Sequence, residues 1–342
     1  MFKKSQILVI ALVIALIAPL TVSAQVEEPI LNLHFQKNNV FIPHAVALKK
    51  GWFTEAGFTK VELKTFSAGA LAGEALLAGE LAVWMPGNVP IISMRHNALP
   101  VVVVGNICSV YEKVVVRPDA DIKNMEDLLK VRIGLLKGST ASAVLANLAG
   151  YYKLDLSKFN TVNLAPPEQI TALAANEVQA LIVWEPIASK AKQAVNGRFV
   201  FDSNISRFEK DNGTPFAASH TVVPIVFSED FIREKPKTAK AIVAVLARAT
   251  EYVQDPANTQ EVIEIFAALT ERSVASVTTD WPEYIWNVAL DQKFLDDMQN
   301  YTENMERMGR ISNAQSPLTY TYTGFLEEIN PEYAKIKGGW KP

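Results

Sequence analysis

Two stretches of this chain are variations on one helix–turn–strand phrase, and any fold it adopts has to place both. Glu74-Ala75-Leu76-Leu77-Ala78-Gly79-Glu80-Leu81-Ala82-Val83-Trp84 is echoed by Thr171-Ala172-Leu173-Ala174-Ala175-Asn176-Glu177-Val178-Gln179-Ala180-Leu181-Ile182-Val183-Trp184. Each copy reads as an Ala/Leu helix, a Gly-Glu or Asn-Glu turn and a short apolar run suited to a buried strand. Each then breaks in a proline-containing loop, Met85 to Pro90 or Glu185-Pro186. Recurrence about a hundred residues apart predicts two similar α/β lobes facing one another across a cleft. With the tryptophans aligned, the match needs a gap of three residues after the glutamate, which leaves a chance likeness of two Ala-rich helices open.

The start of the chain reads as an address. Lys3 and Lys4 precede an apolar run from Ile7 to Leu20, and Val22-Ser23-Ala24 has the small residues of a cleavage site. An uncleaved anchor is the alternative, but the run falls short of the roughly 20 residues a span needs and Pro19 breaks it. The expectation is therefore a signal peptide over residues 1–24, a mature chain from about Gln25 and a periplasmic destination. Cys108 is the single cysteine, which rules out an internal disulfide. It stands within the apolar stretch Val101 to Val110 and not at the head of the mature chain, so it is expected in the core and not as a lipid attachment. Without the leader, 31 basic face 36 acidic side chains, for a net charge of −5. That balance offers no electrostatic footprint for nucleic acid or an anionic membrane.

Periodicity places strands at Ile30 to Phe35, Val61 to Phe66, Leu81 to Trp84 and Val101 to Val104. Val114-Val115-Val116 then leads into a second series, with strands at Val131 to Leu136, Thr161 to Leu164 and before Trp184, and a later one at His220 to Phe227. Helices are expected at Pro43 to Lys50, from Pro90, at Ala141 to Tyr151, from Pro166, at Pro236 to Val253, at Thr259 to Leu269 and at Pro282 to Met308. Strands alternating with helices imply an α/β fold of mostly parallel sheets flanked by helices. Ligands in such folds sit beyond the carboxyl ends of the strands, so function is sought in the loops that follow them.

Two such loops suit an anion. Gly138-Ser139-Thr140-Ala141-Ser142 lies between a strand and a helix, where unpaired N–H groups, the helix dipole and hydroxyls meet a negative charge. An ordinary Ser/Thr N-cap has the same residues. Pro86-Gly87-Asn88-Val89-Pro90 repeats the arrangement in the first half, with Asn88 either a cap or a ligand contact. Trp84 and Trp184 end strands, where an indole either packs on a ligand or fills a core. Glu185 is either a partner for a ligand amine or a solvated acid. The histidines His34, His44, His96 and His220 lack metal-ligand spacing, and no G-x-S-x-G elbow is present, so neither a metal centre nor a serine hydrolase is indicated. His220 reads as structural, near a crossover between lobes.

Ala47-Leu48-Lys49-Lys50-Gly51-Trp52-Phe53-Thr54-Glu55-Ala56-Gly57-Phe58, the Gly79-Glu80-Leu81 turn and Pro166-Pro167 through Trp184-Glu185-Pro186 resemble the nitrate/sulfonate/taurine-type solute-binding proteins of ABC importers. That group includes proteins similar to thiamine-pyrimidine synthases. The resemblance implies a two-lobed periplasmic binding protein fold of type II, with residues 25–113 and 220–342 in lobe 1 and 114–219 in lobe 2. It also implies hinge closure on a small ligand, delivery to a membrane permease with its ATPase, a monomer, no cofactor and no chemistry performed. Family cleft positions fall on Gln36, Ser67, Gly69, Gly87, Asn88, Ser139, Thr140, Trp184 and Glu185, and Trp84 joins them from its place in the repeated phrase. The implied ligand is a small organic anion, a sulfonate or carboxylate that can carry an amine. A thiamine-pyrimidine precursor, or service to a membrane sensor, are the alternatives. This chain departs from the family where Ala82 and Gln179 replace an acid, Asn176 replaces a glycine and Trp84 replaces a small residue. Trp84 is therefore expected to reshape the cleft in favour of a ligand with an apolar part.

Overall fold

The structure is a computed structural model that describes residues 26–202, 204–215 and 220–342; the expected signal peptide lies outside them. The chain opens with β1 (Ile30–Phe35), α1 (Ile42–Lys49), the short α2 (Trp52–Glu55) and β2 (Lys60–Thr65), which returns parallel to β1. Pro43 sits in the first turn of α1, and Gly51 follows the helix at φ 74°, a left-handed conformation that favours glycine. After α3 (Gly73–Leu77), Val83 bridges in parallel to Leu33 and Trp84 bridges antiparallel to Val226, and α4 (Asn88–His96) follows.

The run expected as a strand at Val101 to Val104 is instead the start of β3 (Val101–Val116), sixteen residues long and continuous through Val114-Val115-Val116. The next series is β4 (Arg132–Leu135), α5 (Thr140–Tyr151), β5 (Asn160–Asn163), α6 (Pro166–Ala174), β6 (Ala180–Trp184), α7 (Ile187–Ala194), β7 (Arg198–Asp202) and β8 (Ile205–Ser206). The chain returns through β9 (His220–Ser228), α8 (Glu229–Glu234), α9 (Pro236–Gln254), α10 (Thr259–Thr270) and α11 (Val274–Asp280). It ends with β10 (Ile285–Trp286), α12 (Gln292–Arg307) and α13 (Gly324–Ile329). The long helix expected from Pro282 thus starts ten residues later, at Gln292. Tyr284-Ile285-Trp286 alternates aromatic and branched residues and β10 pairs with Cys108 and Ser109, and the Asp291 side chain caps α12 by accepting from the Phe294 N–H at 2.9 Å.

β3 explains why there are two lobes. From Val101 to Tyr111 it pairs with β9, and from Glu112 to Val116 it pairs with β6, with β7 on its other edge. One strand therefore serves two sheets, changing partners between Tyr111 and Glu112. Lobe 1 packs Leu31, Leu33, Phe41, Val102, Ile242 and Phe266 in one large core. Lobe 2 packs apolar side chains on both faces of its sheet, Val114, Ile133 and Ile182 on one and Val115, Leu181 and Val183 on the other. Burial on both faces is the usual state of a sheet with helices on each side, and it accounts for the unbroken apolar runs.

The repeated phrase is real at the level of hydrogen bonds. Gly79 N–H donates to Leu76 O and Glu80 N–H to Ala75 O, while Asn176 N–H donates to Leu173 O and Glu177 N–H to Ala172 O. Ala82 N–H then donates to Asn32 O, as Gln179 N–H does to Arg132 O. Gly79 has φ 74° and Asn176 φ 60°, so asparagine stands for glycine because its side chain tolerates the left-handed region best after glycine. This register places Val83 on Ala180 and Trp84 on Leu181. The two tryptophans are therefore not equivalent; Trp184 lies three residues further on, at the end of a longer strand.

Candidate functional site

The site is built where the first turns of two helices from opposite lobes touch. Gly87 is the N-cap of α4 and Ser139 the N-cap of α5, both with extended backbone. A Cβ on Gly87 would stand 2.3 Å from Thr140 Oγ1 and 3.0 Å from Thr221 Cγ2, so the approach depends on glycine. Neither cap bonds to its own helix through a side chain. Gly87 has none, and the Ser139 hydroxyl donates to Leu136 O at 2.7 Å. The Ser142 N–H is taken by Ser139 O at 3.1 Å, but the first N–H groups of a helix have no partner within it and two helix dipoles converge there, so the junction favours negative charge or carbonyl-type acceptors.

Around this contact lies a cleft of about 490 Å³, part of it open to solvent. Its walls include six of the ten expected residues: Gln36, Gly69, Gly87, Ser139, Thr140 and Trp184. Gln36 leaves the end of β1, accepts a hydrogen bond from Asn38 Nδ2 at 3.1 Å and has its Nε2 3.2 Å from His34 Nε2. His34 accepts the Met85 N–H on Nδ1 at 3.2 Å. Burial, with His44 nearby, pushes the His34 imidazole down to about 3, so it stays neutral and fixes both strand ends. Trp184 is half-buried at the end of β6, opposite Glu112.

The other four lie elsewhere. Ser67 is exposed in the loop after β2 and does not line the cleft. Trp84 is fully buried in the core of lobe 1, and its Nε1 donates to Gly69 O at 2.8 Å. It holds the cleft wall from behind through Gly69, because its register puts it inside the sheet against Val226. Asn88 is fully buried behind Gly87, with neither amide atom hydrogen-bonded among the described residues. Glu185 is 3 % exposed and engaged: Ser189 N–H and Oγ–H donate to its carboxylate at 2.9 and 2.8 Å, and Lys113 Nζ lies 3.2 Å away.

Glu112 is the ionisable cleft residue that sequence reasoning missed. It lines the cleft at the point where β3 changes sheets, is 2 % exposed and accepts from Thr221 Oγ1 at 2.9 Å. Burial raises its carboxyl to about 8, against the smaller opposing pull of that hydrogen bond. Its signal was the charged pair Glu112-Lys113 inside a strand with no other charged residue. Lys113 points to the other side, to Glu185, Asp202 and Glu283. His220 binds Asp297 at 2.6 Å through Nδ1 and sits beside the cleft without lining it. Cys108 is buried in the lobe 1 core, and burial holds its thiol above the usual range.

Comparison with known proteins agrees with this geometry. A putative binding protein of Brucella abortus is 23 % identical over 246 residues, 69 % of this chain and 70 % of that one. The alkanesulfonate-binding protein SsuA of Xanthomonas axonopodis pv. citri, solved with MOPS bound, superposes with a TM-score of 0.73 at 17 % identity, covering 87 % of this chain and 99 % of that one. The periplasmic nitrate-binding protein NrtA of Synechocystis PCC 6803 superposes with a TM-score of 0.71 at 13 % identity, covering 90 % of each chain. These likenesses establish the two-lobed periplasmic binding protein fold. The family model described as NMT1/THI5 like matches residues 38–259, well over half of the chain, and the protein belongs to the NMT1/THI5-like family.

Proposed function

We propose that the protein is the periplasmic solute-binding component of an ABC importer and captures a small organic anion, a sulfonate or carboxylate, between its lobes. The observation that carries this reading is the meeting of the α4 and α5 N-termini at Gly87 and Thr140. Lobe 1 comprises residues 25–113 and 220–342 and lobe 2 residues 114–219, a division that falls within β3 two residues beyond its change of partners. Ligand closes the lobes about β3, and the closed form docks on a permease served by an ATPase. The chain works as a monomer after loss of residues 1–24 and performs no chemistry of its own. Trp184 packs against the body of the ligand. The alkanesulfonate- and nitrate-binding roles of SsuA and NrtA support the choice of an anion.

A thiamine-pyrimidine precursor is the second reading. It is favoured by Glu112 lying across from Trp184, an acceptor beside an aromatic face where a flat ring bearing an amino group would fit. A thermal-shift screen of sulfonates, carboxylates and pyrimidines tests both, since a ligand at 100 times its Kd adds about 2.7 kcal/mol of stability. An anion giving the largest shift supports the first reading and a pyrimidine the second. A screen with no shift from either class ends the assignment.

A further inference from the structure

Glu112 is the feature of the cleft that the facing helices leave unexplained. A carboxylate has room for about four hydrogen bonds. Glu112 accepts from Thr221 Oγ1 and, among the described residues, forms no ion pair. Its neighbour Lys113 has three acidic partners. The groups around Glu112 are Thr221 on β9, Trp184 opposite it on β6, Thr140 at the head of α5 and the Tyr301 phenol from α12. Ion pairs on the strands and helix beside it are those of Lys113 on β3 and of His220 on β9 with Asp297 on α12, which Lys293 joins. Among the described residues that line the cleft there is no Lys or Arg.

The walls therefore divide by chemistry. The helix ends present donors, whereas Glu112 is the ionisable acceptor. The geometry points to Glu112 as a specificity-determining residue: it selects a ligand that brings a cationic N–H group, an ammonium or protonated amidine, to this wall while the anionic end occupies the helix N-termini. The inference rests on the reading of the cleft as a solute site and names the charge pattern of the solute.

A proton balance follows. With its carboxyl raised to about 8, Glu112 is largely protonated at pH 7 in the empty cleft. When the cationic group arrives, the carboxyl O–H proton leaves to solvent, the ligand keeps its own protons and its N–H donates to the carboxylate. Affinity for such a ligand rises with pH, by at most about tenfold per unit, and levels off above the carboxyl's own value. A ligand that accepted a hydrogen bond from the protonated carboxyl would instead bind less well above that value.

The test is isothermal titration of the full mature chain with matched pairs: 2-aminoethanesulfonate against ethanesulfonate, and 3-aminopropanoate against propanoate. Titrations run between about pH 6 and 9, in two buffers of different ionisation heat. The expected result is an amino member bound at least tenfold more tightly than its partner. Close to one proton is released at neutral pH, and the preference is lost in Glu112→Gln. A des-amino member that binds as well or better, or binding with no proton release, overturns the role of Glu112 and leaves the solute site standing. If Glu112→Gln does not fold, the ratio of amino to des-amino affinity in the unaltered protein decides. If neither these pairs nor any anion or pyrimidine of the broader screen binds, the solute site itself falls and this inference with it.

Discussion

The two copies of the repeated phrase share their turns and diverge at their tryptophans. Up to Ala82 and Gln179 they make the same backbone hydrogen bonds, Asn176 standing in the left-handed position that Gly79 occupies. Beyond that point the first copy leaves the sheet after Trp84, while the second runs on to Trp184 before it ends. Trp84 is consequently the counterpart of Leu181, a core residue, and Trp184 reaches the cleft. By the same count Trp184 answers to Gly87. One lobe closes its wall with an indole where the other uses a glycine, which is how a helix end can be brought against Thr140. A residue's role here follows from its register in the sheet more than from the motif it belongs to.

The largest effect should come from breaking this difference at the tryptophans themselves. Trp84→Ala removes a fully buried indole and its hydrogen bond to Gly69 O, and should cost about 3–5 kcal/mol in urea unfolding. Trp184→Ala, at a half-buried position, should cost less than about 1.5 kcal/mol of stability yet weaken ligand binding roughly tenfold, because a contact face is lost. Equal stability losses from the two substitutions would mean that the indoles are equivalent after all.

A smaller effect is expected at the position that answers to Trp184. Gly87→Ala puts a methyl within 2.3 Å of Thr140 Oγ1 on the other lobe and 3.0 Å from Thr221 Cγ2 on its own, so the tighter clash lies between lobes. Overpacking of this kind costs typically about 1–3 kcal/mol, so affinity should fall roughly 10- to 100-fold while the unfolding midpoint stays nearly constant. Adding Thr140→Ala should recover part of the loss. Unchanged affinity in the single variant would show that closure does not need this contact.

How much of this was legible in the sequence depends on the range of the interaction concerned. α9 begins at Pro236, where proline at a first helical turn signals its start, and α1 stops at Gly51 as a left-handed glycine requires. Both are decided within a few residues. Gly87, Ser139 and Thr140 line the cleft because loops after strands face it in this class of sheet, Trp184 reaches it from the end of its strand, and Gln36 was indicated by the family resemblance alone. Glu112 escaped because it belongs to a strand. Its exposure to the cleft is set by β3 taking β9 on one side and β6 on the other, partners far away in sequence. Trp84 misled for the related reason that its burial depends on a bridge to Val226. The run from Tyr284 to Asp291 was misread as helix although its own residues carried the signal, an alternating segment followed by an Asp cap.

The smallest effect should be found at Glu185, directly after Trp184, which sequence reasoning offered as a partner for a ligand amine. Burial alone would lower the Lys113 ammonium, but Glu185 and Glu283, with hydrogen bonds to Glu283 and Asp202, hold it above the usual lysine range. Glu185→Gln removes one of three acidic partners and keeps the shape that receives the Ser189 N–H. Breaking a buried pair outright costs about 3–5 kcal/mol, yet here two carboxylates remain, so a loss of about 1 kcal/mol in chemical unfolding is expected. Ligand affinity should stay within about twofold, since the carboxylate faces Lys113 and Ser189 and not the cleft. A tenfold loss of affinity confined to ligands bearing an amine would move the acceptor from Glu112 to Glu185. The second copy of the phrase would then contribute both its tryptophan and its acid to the site, and the asymmetry between the lobes would be greater than their hydrogen bonds reveal.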